Sequence, residues 1–174
     1  EIALPDLGPD DVIALRFRLA QVLENALGDI DGALTTYREI LESDAQEGRA
    51  LDALERIHSG QGQWTELIEI LRRRVELAGE GGARRDLLWR IAEVIEKKIA
   101  DRDEAITAYH IILDERAEDL PTLDALARLY EDAEQHSDLL EVLERRLPLT
   151  ADITERVGLR SRMATTTGRP APGS

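Results

Sequence analysis

ADRDEAITAYHIILDERAEDLPTLDALARLY, residues 100–130, decides the fold, because residues 28–58 have already set out its pattern as GDIDGALTTYREILESDAQEGRALDALERIH. Asp29, Asp31, Ala33, Thr35, Tyr37, Leu41, Ala45, Leu51, Asp52, Ala53 and Leu54 return without a gap as Asp101, Asp103, Ala105, Thr107, Tyr109, Leu113, Ala117, Leu123, Asp124, Ala125 and Leu126. The offset is 72 residues throughout. A fixed period of this kind means stacked copies of one supersecondary unit, none able to bury its apolar face alone.

Outward from these stretches, turn residues and apolar spacing predict a chain of helices. Residues 1–11, with Pro5, Gly8 and Pro9, read as an extended lead-in. A helix over 12–27 puts Leu15, Leu19, Val22, Leu23 and Ala26 on one face, and Gly28 stops it. Asp29 caps the next helix, and its copy Asp101 has Glu104 at capping-box spacing. Helices continue over 30–43, 46–59 and 64–77, then a joint at Gly79, Gly81 and Gly82, then 84–99, 102–115, 120–132 and 135–147, with Pro148 as a stop. The domain expectation is four helix hairpins over 12–149 in two 72-residue blocks, with one extra residue near Ala26 and Lys98. A third copy starts at Ile153, where Arg162, Met163 and Ala164 repeat Arg90, Ile91 and Ala92 and, before them, Arg18, Leu19 and Ala20. That gives a terminal or truncated repeat helix over 153–168 and a coil tail over 169–174. Glu1 in place of Met leads us to expect a piece of a longer protein.

Aromatic side chains are few (two Trp, three Tyr and one Phe), so the core must be built from Leu, Ile, Val and Ala, which suits helices better than strands. Lys and Arg number 22 against 36 Asp and Glu, a net charge of −14. Such a surface repels nucleic acid and anionic membrane and favours a neutral or basic protein or peptide. There is no cysteine, which removes disulfides and thiolate chemistry. No apolar run reaches the length of a membrane span and the start carries no signal-peptide core, so the cytoplasm is the expected compartment.

Catalytic patterns are missing from the sequence. His58, His110 and His136 stand apart, with no second ligand at helical spacing, and His136 takes the place of Trp64, which suggests packing. No phosphate-binding glycine motif or nucleophile elbow occurs, and Gly79 to Gly82 lies between two helices. The expectation is a non-enzyme with no cofactor and no metal. Arg72, Arg73, Arg74 and Arg145, Arg146 fall in helix C-terminal halves, where cations favour the dipole, with a basic docking patch as the sharper alternative.

Each block holds two helix-turn-helix units of roughly 34 to 38 residues, the period of tetratricopeptide repeats. Leu19-Ala20 with Leu23, then Ala33, Tyr37 and Leu41, resembles that family's large-small pair and its second-helix Ala and aromatic, and Ile91-Ala92, Ile95, Ala105, Tyr109 and Leu113 repeat it. Small residues at a crossing let two helices approach to about 8–10 Å. The resemblance covers residues 12–149 and implies an all-α fold, a right-handed α-solenoid of antiparallel helix hairpins (a superhelix).

The resemblance further implies that the first helix of each hairpin lines a concave groove and that the protein is an interaction scaffold. The positions turned to that groove are then Phe17, Gln21, Glu24, Asp52, Arg56, Trp89, Glu93, Glu96, Asp124 and Arg128. Phe17 and Trp89 are equivalent; they either grip an apolar side chain of a partner or pack at the helix edge. Asp52 with Arg56 and Asp124 with Arg128 read as i,i+4 pairs, worth a few tenths of a kcal/mol as intrahelical ion pairs. The clamp for terminal carboxylates found in chaperone-binding members is not expected, since its places hold Phe17, Gln21 and Asp86. The expected function is a scaffold holding an extended peptide or partner helix; the alternative is a structural spacer or self-assembly segment that associates end to end.

Overall fold

A computed structural model describes residues 8–167. Residues 1–7 of the expected lead-in and the 169–174 tail lie outside that range. The described residues are helical with connecting turns and contain no strand. Close contacts divide the chain into two compact units, the first ending at Gly79 and the second beginning at Glu80, and each is described by itself.

Unit 1 contains α1 (Pro9–Val22, continued by a π-helical turn, Leu23–Leu27), α2 (Ile30–Ser43), α3 (Gly48–Gln61) and α4 (Trp64–Leu77). Each packs on the next. The first helix begins at Pro9 rather than at 12, because proline tolerates a first turn and the Asp11 carboxylate accepts from the Gly8 amide. Asp29 caps α2 by accepting from the Gly32 amide at 3.0 Å. Ala20 and Ala33 are fully buried between α1 and α2, with Tyr37, Ile40, Leu41, Leu51 and Leu54 filling the core around them.

Unit 2 contains α5 (Gly82–Val94, continued by a π-helical turn, Ile95–Ile99), α6 (Arg102–Glu115), α7 (Leu120–Asp132), α8 (His136–Arg146, followed by a 3-10 turn, Leu147–Leu149) and α9 (Ile153–Thr167). Neighbours again pack in order, α9 on α8. The core repeats position by position: Ala92, Ala105, Tyr109, Ile112, Leu113, Leu123 and Leu126 are buried as their unit 1 counterparts are. Asp101 caps α6 as Asp29 caps α2, accepting from Glu104 at 2.9 Å.

The two π-helical turns account for the extra residue near Ala26 and Lys98. An inserted residue in a helix is absorbed by a local i→i+5 bulge, which leaves the rest of the helix wound.

One expected face of α1 is overturned. Leu15, Leu19 and Val22 are about half exposed and Ala26 is exposed, whereas Ile13, Phe17, Ala20 and Leu23 turn to the core. Helix α1 buries the side that meets α2 and α3, and no described helix of unit 1 covers the other. Leu19 is 52% exposed while its copy Ile91 is 5% exposed.

Candidate functional site

In unit 1 the site forms where α1 and α3 lie side by side. The π-helical turn carries Glu24 off the end of α1, and Arg56 of α3 meets it with Nη2 donating to Oε2 at 2.8 Å. The Tyr37 hydroxyl of α2 donates to the same carboxylate at 3.3 Å. Only 7% of the Glu24 side chain is exposed. The hydrogen bond from Arg56 holds this carboxyl below the usual glutamate range against the upward push of burial. Burial and the neighbouring Glu24 charge raise the Tyr37 phenol.

Unit 2 builds this cluster again, 72 residues on. Glu96, in the second π-helical turn, accepts from Tyr109 at 2.8 Å and from Arg128 at 2.7 Å. Desolvation, reinforced by Glu96, raises the Tyr109 phenol strongly.

The aromatic positions sit beside these clusters. The Phe17 ring meets Tyr37 edge-on at 5.5 Å between centroids, and the Arg49 guanidinium lies over it at 4.8 Å. Trp89 meets Tyr109 at 5.2 Å, and Arg85 lies over its ring at 4.8 Å. Both rings are half-buried. The two cations come from different places. Arg49 belongs to α3 and is held by Glu47 through paired bonds of 2.9 Å, whereas Arg85 belongs to α5 and is held by Asp119 through paired bonds of 2.8 Å. Each unit thus places a guanidinium, backed by the cap carboxylate of its third helix, over the aromatic ring.

The i,i+4 reading of Asp52 with Arg56 and of Asp124 with Arg128 is overturned. Both arginines reach across to the π-turn glutamates, and the aspartates pair with Arg74 of α4 and Arg146 of α8. A buried glutamate is a stronger partner for a guanidinium than an exposed aspartate on the same helix. The arginine runs are also used inside the units: Arg73 donates to the Leu41 carbonyl and Arg145 to that of Ala117, tying α4 to α2 and α8 to the segment after α6. Those bonds, with the Arg74 and Arg146 pairs, commit four of the five arginines to contacts within their units.

Gln21 is exposed on α1, four residues from Asn25, whose side-chain amide donates to the Gln21 carbonyl at 3.0 Å. The unit 2 copies are Glu93 and Lys97, which form an ion pair at 2.5 Å. In unit 1 Phe17, Gln21, Asn25, Ala53 and Arg56 border a solvent-open pocket of ≈ 330 Å³. All the groove positions expected in unit 1 (Phe17, Gln21, Glu24, Asp52, Arg56) line this pocket, whereas of their unit 2 copies Glu96 and Arg128 pair with each other, Trp89 lies against Tyr109, Glu93 pairs with Lys97 and Asp124 with Arg146. The sequence reading missed Arg49 and Arg85, and it missed Tyr37 and Tyr109 as hydrogen-bond donors; the recurrence of Glu24 with Tyr37 as Glu96 with Tyr109 was the available signal for the tyrosines.

His58 is buried, with Nδ1 2.6 Å from Oε1 of Gln63, and His110 contacts the Tyr130 hydroxyl at 2.7 Å. Among the described residues no His, Asp and Glu group is placed to hold a metal ion, and no helix is long and apolar enough to cross a membrane.

No curated protein matches this sequence. The crystal structure of MamA protein is similar in fold, with a TM-score of 0.50, 17% identity, and coverage of 91% of this chain and 90% of that one. TTC0263, a thermophilic TPR protein in Thermus thermophilus, is 18% identical over 90% of this chain and 100% of its own, with a TM-score of 0.33. YrrB, a TPR protein with an unusual peptide-binding site, is 13% identical over 89% of this chain and 98% of its own, with a TM-score of 0.34. Tetratricopeptide repeat models match residues 14–47, 50–85 and 122–157, more than half of the chain. With helix hairpins recurring at a fixed period and alanine buried at their crossings, the chain belongs to the tetratricopeptide repeat family.

Proposed function

We propose that the chain is a non-catalytic scaffold that holds a partner polypeptide, an extended peptide or a helix, on the α1 and α3 side of unit 1 or on the matching α5 and α7 side of unit 2. Tetratricopeptide repeats are typically interaction modules rather than enzymes. The observation that carries the reading is the repeated cluster: Glu24, Tyr37 and Arg56, and again Glu96, Tyr109 and Arg128, tie the three helices of this side of each unit together. Side chains already held by such bonds have less freedom to lose on binding. The net charge of −14 favours a neutral or basic partner.

Site-specific photo-crosslinking tests this. A photoreactive residue at Gln21 or Glu93 is expected to capture a partner from a lysate, and one at Arg38 or Glu69, exposed on α2 and α4, is not. Capture from Arg38 or Glu69 with none from Gln21 or Glu93 contradicts the reading.

A second reading, a self-assembly segment, is favoured by one observation: the exposed Leu15, Leu19 and Val22 on α1 and Ile153 and Val157 on α9. Sedimentation velocity against concentration separates the two. Oligomers that grow with concentration support self-assembly, and a monomer at all concentrations rejects it.

A further inference from the structure

We infer that the pocket of unit 1 binds one large uncharged side chain of a partner polypeptide together with the peptide groups on either side of it. This rests on the scaffold reading above and adds the chemistry of the ligand. Three features of the pocket lead to it.

The first is size. A volume of ≈ 330 Å³ lies at the low end of ligand pockets, about 300–1,000 Å³, and is room enough for one bulky side chain. Its apolar lining is the half-buried Phe17 ring, with the Arg49 guanidinium over one face, together with the edges of Ala53 and Tyr37.

The second is charge. The charges around the pocket are already partnered within the unit. Glu24 is held by Arg56 and Tyr37, Arg49 by Glu47, and Asp52 by Arg74. An anionic ligand reaching Arg56 would have to share a guanidinium with the nearly buried Glu24 and leave that carboxylate short of its partner. A cationic ligand would find Asp52 exposed and paired, with Arg49 and Arg56 bordering the same space. An uncharged side chain meets neither obstacle.

The third is the rim. Gln21 presents an exposed carboxamide, and Asn25 spends a donor on the Gln21 carbonyl and keeps its Oδ1 as an acceptor. Two neutral amides at one edge suit the N–H and C=O groups of an extended backbone. The unit 2 copies, Glu93 and Lys97, pair with each other, so this neutral rim distinguishes unit 1.

The test is an amide-shift titration of the intact, isotope-labelled chain with four blocked amino acids: N-acetyl-leucinamide, N-acetyl-tryptophanamide, N-acetyl-aspartate amide and N-acetyl-lysinamide. The expected result is saturable shifts at Gln21, Asn25 and Ala53 with the leucine or tryptophan probe, at about millimolar affinity, and binding about tenfold weaker or more for the charged probes. The exchange Gln21→Glu with Asn25→Lys, which installs the unit 2 rim on an exposed helix face, is expected to weaken the uncharged probes several-fold. Equal or stronger binding of a charged probe at these residues overturns the inference, as does the absence of shifts there with every probe. Retention of full affinity in the exchanged variant overturns the role given to the rim. These results are independent of the crosslinking experiment: crosslinks at Gln21 without probe selectivity reject the ligand chemistry alone, and selectivity without crosslinks rejects the scaffold reading.

Discussion

The Tyr109 hydroxyl donates to Glu96 across 2.8 Å, and 72 residues earlier Tyr37 donates to Glu24 across 3.3 Å. Each bond joins the second helix of a hairpin to the π-helical turn of the first, and each acceptor also holds an arginine from the third helix. Tyr109→Phe should cost about 1–2 kcal/mol, because it removes a hydrogen bond to a nearly buried charged acceptor. Tyr37→Phe should cost less, since its bond is longer. Urea unfolding of the two variants checks both the size and the order.

Left-handed backbone positions give a sharper pair of predictions. Gly28 and Gly62 have φ of 66° and 69°, and their copies in unit 2 are Ala100 at 61° and Glu134 at 56°. A Cβ is strained there, and glycine is not. Ala100→Gly and Glu134→Gly should each stabilise unit 2 by about 0.5–1 kcal/mol, while Gly28→Ala should destabilise unit 1 by a similar amount. Thermal unfolding of the three variants decides it; a fall in Tm for both glycine substitutions would mean that these turns are not left-handed.

Stability should fall at both ends of the pH scale, through groups that can be named. The folded-state pKa of Glu24 is depressed by its bond from Arg56 and that of Glu47 by its bond from Arg49. For Asp119, burial pushes upward but the bonds from Arg85 and Thr122 outweigh it. A depressed carboxyl contributes stability that is complete above its unfolded value, 4.5 for the glutamates and 3.8 for the aspartate, and is lost as pH falls through the folded value. Burial raises Tyr37, Tyr109 and Tyr130, the three tyrosines of the chain. Their contribution is complete below the ordinary phenol value of 10.0 and is lost as pH rises through the folded values. Phenolate absorbance should therefore appear above that value and together with the loss of helical circular dichroism. Ionisation of one tyrosine at its ordinary value in folded protein would contradict this.

The sequence made the repeat legible because burial obeys helical spacing and the 72-residue offset exposes it. Ala33 and Ala105 are fully buried in matching surroundings, as close helix crossings require. Leu19 was misread because apolar spacing reveals a face without telling whether a neighbour covers it. The charge pairs were misread for a related reason. Asp52 and Arg56 are well spaced on one helix, but a nearly buried Glu24 in the π-helical turn competes for the arginine, and only the folded placement of that turn beside α3 shows this. The cation over each ring had no readable signal, because Arg49 has Pro121 as its copy while Arg85 has Ile13.

The affinity of a crosslink-identified partner for the Gln21→Trp variant, measured by calorimetry, tests the central claim most directly. Gln21 is exposed on α1 at the edge of the unit 1 pocket, so an indole there fills the site without disturbing the core. The account predicts a loss of about tenfold or more in affinity, with helical circular dichroism and Tm unchanged. Unchanged affinity in a folded variant would contradict it.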